Sequence, residues 1–196
     1  MAGDVGFDPM CLVALASPSV EKLRHRATAS QRKEALLAMS PADQRSALEW
    51  MRTSELKHAR LAMLCATGWP VAELVNGAFL QAAGTSGRAP SLLNGGLVDS
   101  PGGNFVLFVF GFAALVELSG AYYGVNGGDY EFDPLGIASG EGPLPQSVPN
   151  VGAPSALQLA EIKNGRLAMM AVAGYVVQEW MFGSPVVEQT PFFFGR

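Results

Sequence analysis

Three long apolar stretches divide the chain, at about residues 51–80, 105–123 and 155–182. The first and third begin with charged residues and then become rich in Ala, Leu and Met, which favour helix. At 1.5 Å per residue, each helix would be long enough to cross the roughly 30 Å hydrocarbon core of a bilayer. The pattern therefore predicts an all-α membrane protein with three transmembrane helices.

The segments between these stretches have a different composition. Residues 20–53 are charged and helix-prone, and Ser40 ahead of Pro41 predicts a helix start that Ser40 caps. Residues 81–103 and 124–155 are rich in Gly and Pro and predict loops. At this length we expect a single domain, residues 1–196.

The ends and the middle of the apolar helices carry further signals. Pro70 is expected to kink the first helix, because proline lacks the N–H that an internal helical position needs. Ser155 is expected to cap the last helix, which should then end near Phe182.

One motif occurs in both the first and the last apolar stretch. Residues 55–64 read ELKHARLAML, and residues 161–170, 106 positions later, read EIKNGRLAMM. The match continues at three further pairs: Gly68 and Gly174, Val71 and Val177, and Glu73 and Glu179. The repeat indicates an internal duplication. It predicts that the first and third helices cross as a pseudo-two-fold pair.

The spacing of charges within the repeat supports such a pair. The Arg five residues after each Glu points about 140° away from it, so one helix cannot easily pair its own Glu and Arg. Two crossed helices can pair them reciprocally: Glu55 with Arg166, and Glu161 with Arg60. Small residues would let the two backbones approach closely: Ala59, Ala62, Gly165 and Ala168.

The same motif supplies candidate metal ligands, namely Glu55, His58, Glu161 and Asn164. An Arg partner would neutralise each carboxylate and leave an oxygen lone pair free. Hard cations with one open position prefer oxygen or imidazole donors. These four donors are too dispersed to converge on one ion. They are typical of separate ligands, each for its own metal with a single vacancy, such as the magnesium of a chlorophyll.

Composition fits a chain that buries apolar surface in lipid and pigment. Apolar residues make up 49% and charged residues 15%, against roughly 25% charged residues in soluble domains. The net charge is −4, but nine of the thirteen Lys and Arg lie at or before Arg60. This bias predicts the N-terminus on the cytoplasm-like side of a membrane. Cys11 and Cys65 form no disulfide framework pattern, and no signal or transit peptide is visible.

The motif ExxHxRxAM followed by ExxNxRxAM resembles the signature of the light-harvesting chlorophyll-binding proteins of plastids. The resemblance covers the three predicted helices and two Phe-Asp-Pro motifs, so most of the chain. It implies a non-enzymatic antenna in the thylakoid membrane, with a stromal N-terminus, that passes excitation energy to a photosystem. The implied partners are photosystem core subunits, neighbouring antenna proteins and thylakoid lipids, and not nucleic acid.

The resemblance also implies site residues beyond the repeat. Glu117, the one charge of the middle helix, is a ligand by resemblance; a protonated Glu bonded to a neighbour is the alternative. Gln178, about 21 Å beyond Asn164 on a similar face, is a ligand by resemblance or simply solvated. The carotenoid end groups would lie at Phe7, Asp8 and Pro9, and at Phe132, Asp133 and Pro134. Ordinary helix-entry turns are the other interpretation of these motifs.

The branch of the family is indicated by the segment from Arg88 to Gly96. It resembles antennae that bind chlorophyll a and chlorophyll c, with fucoxanthin- or peridinin-type carotenoids, possible neighbours of photosystem I. Residues 192–194 are Phe where the family often adds a His ligand. His25 could ligate a pigment or be solvated.

Three alternatives differ in function. A photoprotective, energy-dissipating relative would use Glu73 or Glu179 as a titrating group. A small transporter fits poorly, because only the outer two of three helices are repeated. A soluble enzyme is disfavoured, since the sequence has no nucleophile–base pair, phosphate loop or His/Cys cluster.

Overall fold

The computed structural model describes residues 8, 12, 28–82, 86–91, 94, 96, 101–122 and 154–194. The helices named here are α1 (Ala29–Ala38), α2 (Pro41–Ala82), α3 (Pro101–Tyr122), α4 (Pro154–Phe182), α5 (Val186–Gln189) and α6 (Pro191–Phe194). Each predicted apolar helix coincides with one of the three longest, α2, α3 and α4. The all-α prediction is confirmed for this part of the chain.

The start of α2 follows the prediction. The backbone N–H of Asp43 donates to the Ser40 hydroxyl oxygen at 3.2 Å, so Ser40 caps the helix ahead of Pro41. The helix then continues for 42 residues and includes Pro70. The charged segment before residue 51 and the first apolar stretch are therefore one helix, about 63 Å long at 1.5 Å per residue. The kink at Pro70 stays a prediction.

The other two long helices begin earlier than predicted. α3 begins at Pro101 and α4 at Pro154, so Ser155 lies inside the first turn and the prediction that it caps α4 was wrong. The physical reason is that proline suits the first helical position, where its missing N–H costs nothing. α4 ends at Phe182 as predicted. Gly183 follows with φ of +65°, and its N–H donates to the Glu179 carbonyl at 2.9 Å.

The membrane prediction has a different outcome from the helix prediction. Among the described residues, none of the helices combines the length and the apolar character needed to cross a bilayer. The three predicted spans, at about residues 51–80, 105–123 and 155–182, are thus helices in the structure, and their crossing of a membrane stays a prediction.

The chain divides into two compact units. The first comprises residues 1–58 and 127–163, and the second residues 59–126 and 164–196. The boundaries fall within α2 and α4. The prediction of a single domain over residues 1–196 is not tested by this division and stays a prediction.

Candidate functional site

Within the second unit, α2 and α4 are in close contact at Ala59 and Gly165. A Cβ atom built on Gly165 would lie 3.2 Å from the Ala59 Cα and closer still to the Ala59 Cβ. Ala59 is only 1% exposed. A side chain at position 165 would force the helices apart, so the prediction that small residues allow a close approach is confirmed at this pair.

A second contact lies ten residues further along both helices. The rings of Trp69 and Tyr175 have centroids 6.2 Å apart and planes inclined at 57°. Tilted aromatic pairs at this distance are favourable. Ala59 and Gly165 are equivalent positions of the repeat, and so are Trp69 and Tyr175. Contacts between equivalent positions are what a local two-fold axis between two helices would produce.

The third equivalent pair consists of two buried carboxyl groups. Glu73 is 1% exposed and Glu179 is 4% exposed. The indole Nε1–H of Trp69 donates to Oε1 of Glu179 at 2.6 Å. The two oxygens of Glu73 accept from two backbone N–H groups, that of Ala89 at 3.3 Å and that of Val187 at 3.1 Å. Buried carboxyl groups need such donors, since an unpaired one is costly.

These groups form one cluster, in the C-terminal parts of α2 and α4. The Glu73 and Glu179 side chains lie within hydrogen-bonding reach of each other, and Arg88 acts on Glu179 electrostatically. The segment that carries Arg88 and Ala89 is itself organised by Asn94, whose Nδ2 donates to the Ala89 carbonyl at 2.7 Å. Glu73 therefore connects α2 to two other segments.

His58 has the geometry of a metal ligand. Its side chain is exposed, and its Nδ1 lies 2.7 Å from the backbone carbonyl oxygen of Ser54, one turn earlier. A carbonyl can only accept, so Nδ1 carries the hydrogen and Nε2 keeps its lone pair. A histidine that ligates through one nitrogen usually donates the other N–H in this way.

The other predicted ligands differ in exposure. Asn164 and Glu117 are exposed, whereas Glu55, Glu161 and Gln178 are half-buried. The three glutamates each take part in a further interaction. In the part of the chain that the structure describes, no three His, Cys, Asp or Glu side chains group closely enough to hold a metal ion. Ligation by any of these residues stays a prediction.

The predicted ion pairs involve both compact units. Glu55 and Glu161 belong to the first unit, and Arg60 and Arg166 to the second. Both arginines are exposed, and each takes part in an interaction. The reciprocal pairing of Glu55 with Arg166 and of Glu161 with Arg60 stays a prediction.

Of the two Phe-Asp-Pro motifs, only Asp8 belongs to the described residues. Its Oδ1 accepts the backbone N–H of Leu12 at 2.9 Å. An Asp that binds a following backbone N–H stabilises a turn. The other motif residues lie outside the described residues, as does His25: Phe7, Pro9, Phe132, Asp133 and Pro134. Their contact with carotenoid stays a prediction.

An apolar groove of about 650 Å³ runs along α2 in the second unit. It is lined by Arg60, Met63, Leu64, Thr67, Gly68 and Val71. No atom lies within 4 Å of a Cβ built on Gly68, and the same holds for its equivalent Gly174 on α4. Large apolar side chains flank both positions, with Leu64 73% and Met170 75% exposed. Apolar surface of this extent indicates a binding surface.

Trp69 is the residue that sequence reasoning missed. It contacts Tyr175 and Glu179, which lie four residues apart on one face of α4. A signal was available: Trp69 and Tyr175 are 106 positions apart, as are Glu73 and Glu179. Two aromatic residues at equivalent positions, one turn before two equivalent carboxyl groups, would have indicated this contact.

The comparisons with known proteins agree with this arrangement. The family model described as chlorophyll A-B binding protein matches residues 1–179. The chain is 32% identical over 145 residues to a fucoxanthin-chlorophyll a-c binding protein of Chattonella marina var. antiqua, which covers 72% of this chain. It is 30% identical over 156 residues to light-harvesting complex stress-related protein 1 of Chlamydomonas reinhardtii, again over 72% of this chain.

The chain therefore belongs to the chlorophyll a-b binding family, whose members are light-harvesting pigment-binding proteins and not enzymes. The matches span 62% of the Chattonella protein and 55% of the Chlamydomonas protein.

Proposed function

We propose that this protein is a light-harvesting antenna that binds chlorophylls and carotenoids and transfers excitation energy to a photosystem. The observation that carries this proposal is the close contact of the two repeat helices at Ala59 and Gly165, directly beside the exposed side chains of His58 and Asn164. Each repeat helix would thus carry one donor next to this contact. When bound, chlorophyll supplies the light absorption and the excitation transfer.

The chlorophyll ligands in this proposal are Glu55, His58, Glu117, Glu161, Asn164 and Gln178. The donor set fits the group, because a chlorophyll magnesium has one vacancy to fill from the protein and prefers oxygen or nitrogen donors. Support is most direct at His58, where the bond between Nδ1 and the Ser54 carbonyl leaves Nε2 available. Rigid ligands of this kind keep pigments apart while allowing excitation to pass between them.

The groove along α2 is the proposed carotenoid surface. Its apolar lining and the open space at Gly68 fit a long, flat polyene that lies against the helix backbone. The equivalent surface at Gly174 on α4 would hold a second carotenoid. The Phe-Asp-Pro motifs, with Asp8 and Asp133, would contact the end groups of both.

Bound pigment and lipid would also cover the exposed apolar surfaces of α2 and α4. We propose that α2 and α4 cross as a pseudo-two-fold pair, with Glu55 paired to Arg166 and Glu161 to Arg60. The setting would be the thylakoid membrane of a plastid, with the N-terminus on the stromal side. The relatives that support this setting are chloroplastic by name.

The finer proposal concerns pigments and partners. The similarity to a fucoxanthin-chlorophyll a-c binding protein supports chlorophyll a, chlorophyll c and a fucoxanthin- or peridinin-type carotenoid. Photosystem I core subunits and neighbouring antenna proteins are the proposed partners. Extraction of pigments from the purified protein, followed by chromatography and mass spectrometry, tests the pigment set. If the extract contains no chlorophyll c, the proposed pigment set is wrong and the antenna binds another set.

The main experiment is reconstitution of the His58→Ala variant with extracted pigments. We expect the variant to bind about one chlorophyll fewer than the unmodified protein, because one magnesium ligand is lost. The adjacent exposed Lys57, changed to Ala, serves as the control and should keep full stoichiometry. An unchanged chlorophyll content in His58→Ala would reject His58 as a ligand, and reconstitution without any pigment would reject the antenna proposal.

A second candidate is a photoprotective member of the same family, which dissipates energy when the surroundings become acidic. It is favoured by the buried pair of carboxyl groups, Glu73 and Glu179, and by the similarity to stress-related light-harvesting proteins. Chlorophyll fluorescence lifetime measured against pH tests this role. A lifetime that does not shorten on acidification excludes dissipation as the main function.

A further inference from the structure

We propose that Trp69 is a positioning residue for Gln178: through its contacts with α4, it fixes the direction in which Gln178 presents its amide oxygen to a chlorophyll magnesium. The inference rests on the proposed function, in which Gln178 is a ligand. It adds a residue on α2 to a site whose ligand lies on α4.

Trp69 holds α4 at two points one helical turn apart. Its ring packs against Tyr175 with centroids 6.2 Å apart, and its Nε1–H donates to Glu179 at 2.6 Å. A hydrogen bond this short to a carboxyl group is among the stronger kinds. A helix held at residues i and i+4 by one rigid side chain cannot rotate about its axis without breaking one of the two contacts.

Gln178 lies between these two points. It is adjacent to Glu179 and about 100° from it around the helix, by helical geometry. Because Glu179 is directed into the interior, at 4% exposure, the neighbouring Gln178 must leave the helix to the side, where it is half-buried. The rotation that Trp69 sets for Glu179 therefore sets the direction of Gln178 as well.

This part of α4 needs such an anchor because the helix ends a few residues later. Its last residue is Phe182, and Gly183 leaves the helical conformation with φ of +65°. The final turns of a helix fray when no side chain holds them. Glu179 is held through its side chain by Trp69 and through its carbonyl by the Gly183 N–H at 2.9 Å. Gln178 thus precedes the most firmly fixed residue of the helix end.

The equivalent position on α2 supports the assignment. Residue 72, which corresponds to Gln178, is an alanine, and residue 175, which corresponds to Trp69, is a tyrosine. Within the repeat, the glutamine and the indole N–H that orients its helix thus each occur in one copy. Gln178 lies on α4 and Trp69 on α2, so the positioning residue is on the helix that packs against the ligand's own helix.

The test compares Trp69→Phe with Gln178→Ala in complexes reconstituted with pigments. The Phe variant keeps an aromatic ring against Tyr175 but removes the N–H donor together with part of the indole volume. We expect roughly tenfold weaker binding of one chlorophyll, as for loss of an outer partner of a metal ligand. The absorption difference spectrum should superimpose on that of Gln178→Ala, while the chlorophyll that depends on His58 is retained.

Two variants separate positioning from packing. Trp180→Phe makes the same change at an indole that is 75% exposed, and should leave every chlorophyll bound. Glu179→Gln keeps an oxygen that accepts from Trp69 and gains an NH₂ group that can donate to Glu73, so it should also retain the site. Hydrogen exchange of residues 176–182 provides a second measurement, and should be faster in Trp69→Phe than in Trp180→Phe.

Each other outcome overturns the inference. Full chlorophyll content and unchanged exchange in Trp69→Phe would show that the indole N–H is dispensable. Loss of several chlorophylls, including the one that depends on His58, would make Trp69 a general packing residue. No loss in Gln178→Ala would remove Gln178 as a ligand, and the separate result for His58→Ala would still decide the antenna proposal.

Discussion

The two copies of the repeat, on α2 and α4, have the same residue at some positions and different residues at others, and the contacts between the helices involve positions of both kinds. Shared are Glu55 and Glu161, Arg60 and Arg166, Gly68 and Gly174, and Glu73 and Glu179. Different are His58 and Asn164, Ala59 and Gly165, Trp69 and Tyr175, and Ala72 and Gln178. The buried carboxyl pair is thus the same in both copies, whereas the contacts of Ala59 with Gly165 and of Trp69 with Tyr175 join residues that differ.

The largest expected effect concerns the shared charges. Arg166→Leu should remove the partner proposed for Glu55 and leave a carboxylate unpaired beneath bound pigment, at a cost of roughly 3–5 kcal/mol. Most of the reconstituted complex should be lost, as measured by the yield of pigmented protein after sedimentation. The double variant Glu55→Gln with Arg166→Leu should recover part of that yield. If the single and double variants behave alike, the reciprocal pairing is wrong.

The next effect concerns the close contact between the helices at Ala59 and Gly165. Gly165→Ala places a methyl group against Ala59 and should destabilise the complex by about 1–3 kcal/mol, as overpacking usually does. Gly111→Ala on α3 is the control, because its new methyl group meets no protein atom within 4 Å and the position belongs to no proposed pigment surface. Thermal denaturation followed by circular dichroism measures both. Equal loss of stability in the two variants would mean that the contact at Gly165 does not hold the helices together.

Glu73 and Glu179 occupy equivalent positions but have different hydrogen-bond partners. Substitutions at the two positions therefore sharpen the comparison between the two copies of the repeat. Glu73 uses both oxygens for backbone N–H groups, so Glu73→Gln must leave one N–H without an acceptor, at a cost of about 1–3 kcal/mol. Glu179→Gln keeps the acceptor for Trp69 and should cost less. Chemical denaturation gives the free energies of unfolding. A larger loss in Glu179→Gln would reverse the assigned roles.

The smallest effect is expected where one copy is converted into the other. His58→Asn gives the first copy the donor of the second, so the chlorophyll should remain bound with a changed absorption band. Chlorophyll stoichiometry and low-temperature absorption are the measurements. A stoichiometry as low as in His58→Ala would show that an amide oxygen at position 58 cannot reach the metal.

Much of the fold was predictable because it depends on local pattern. Ser40 and Pro41 fixed the start of α2, and the Ala- and Met-rich repeat fixed the long helices together with the close approach at Ala59 and Gly165. The start of α3 was misjudged, since Gly102 and Gly103 favour a loop while Pro101 is a suitable first helical residue. Local propensity does not decide between such competing signals.

The buried cluster was not predictable in the same way. Glu73 finds its backbone partners 16 and 114 residues away in sequence, and no periodicity indicates which N–H groups will meet a given carboxylate. The tautomer of His58 likewise depends on the Ser54 carbonyl one turn earlier. The repeat located the candidate ligands, whereas three-dimensional packing identified the partners of Glu73 and the hydrogen bond from Trp69 to Glu179.

The bond between Glu73 and the Val187 N–H also bears on the order of assembly. One carboxylate oxygen on the first long helix cannot meet its donor until a residue 114 positions later has left the ribosome. This contact of the first long helix therefore forms only after the last long helix, α4, has been synthesised. A nascent chain arrested before residue 187 would leave that oxygen without its donor.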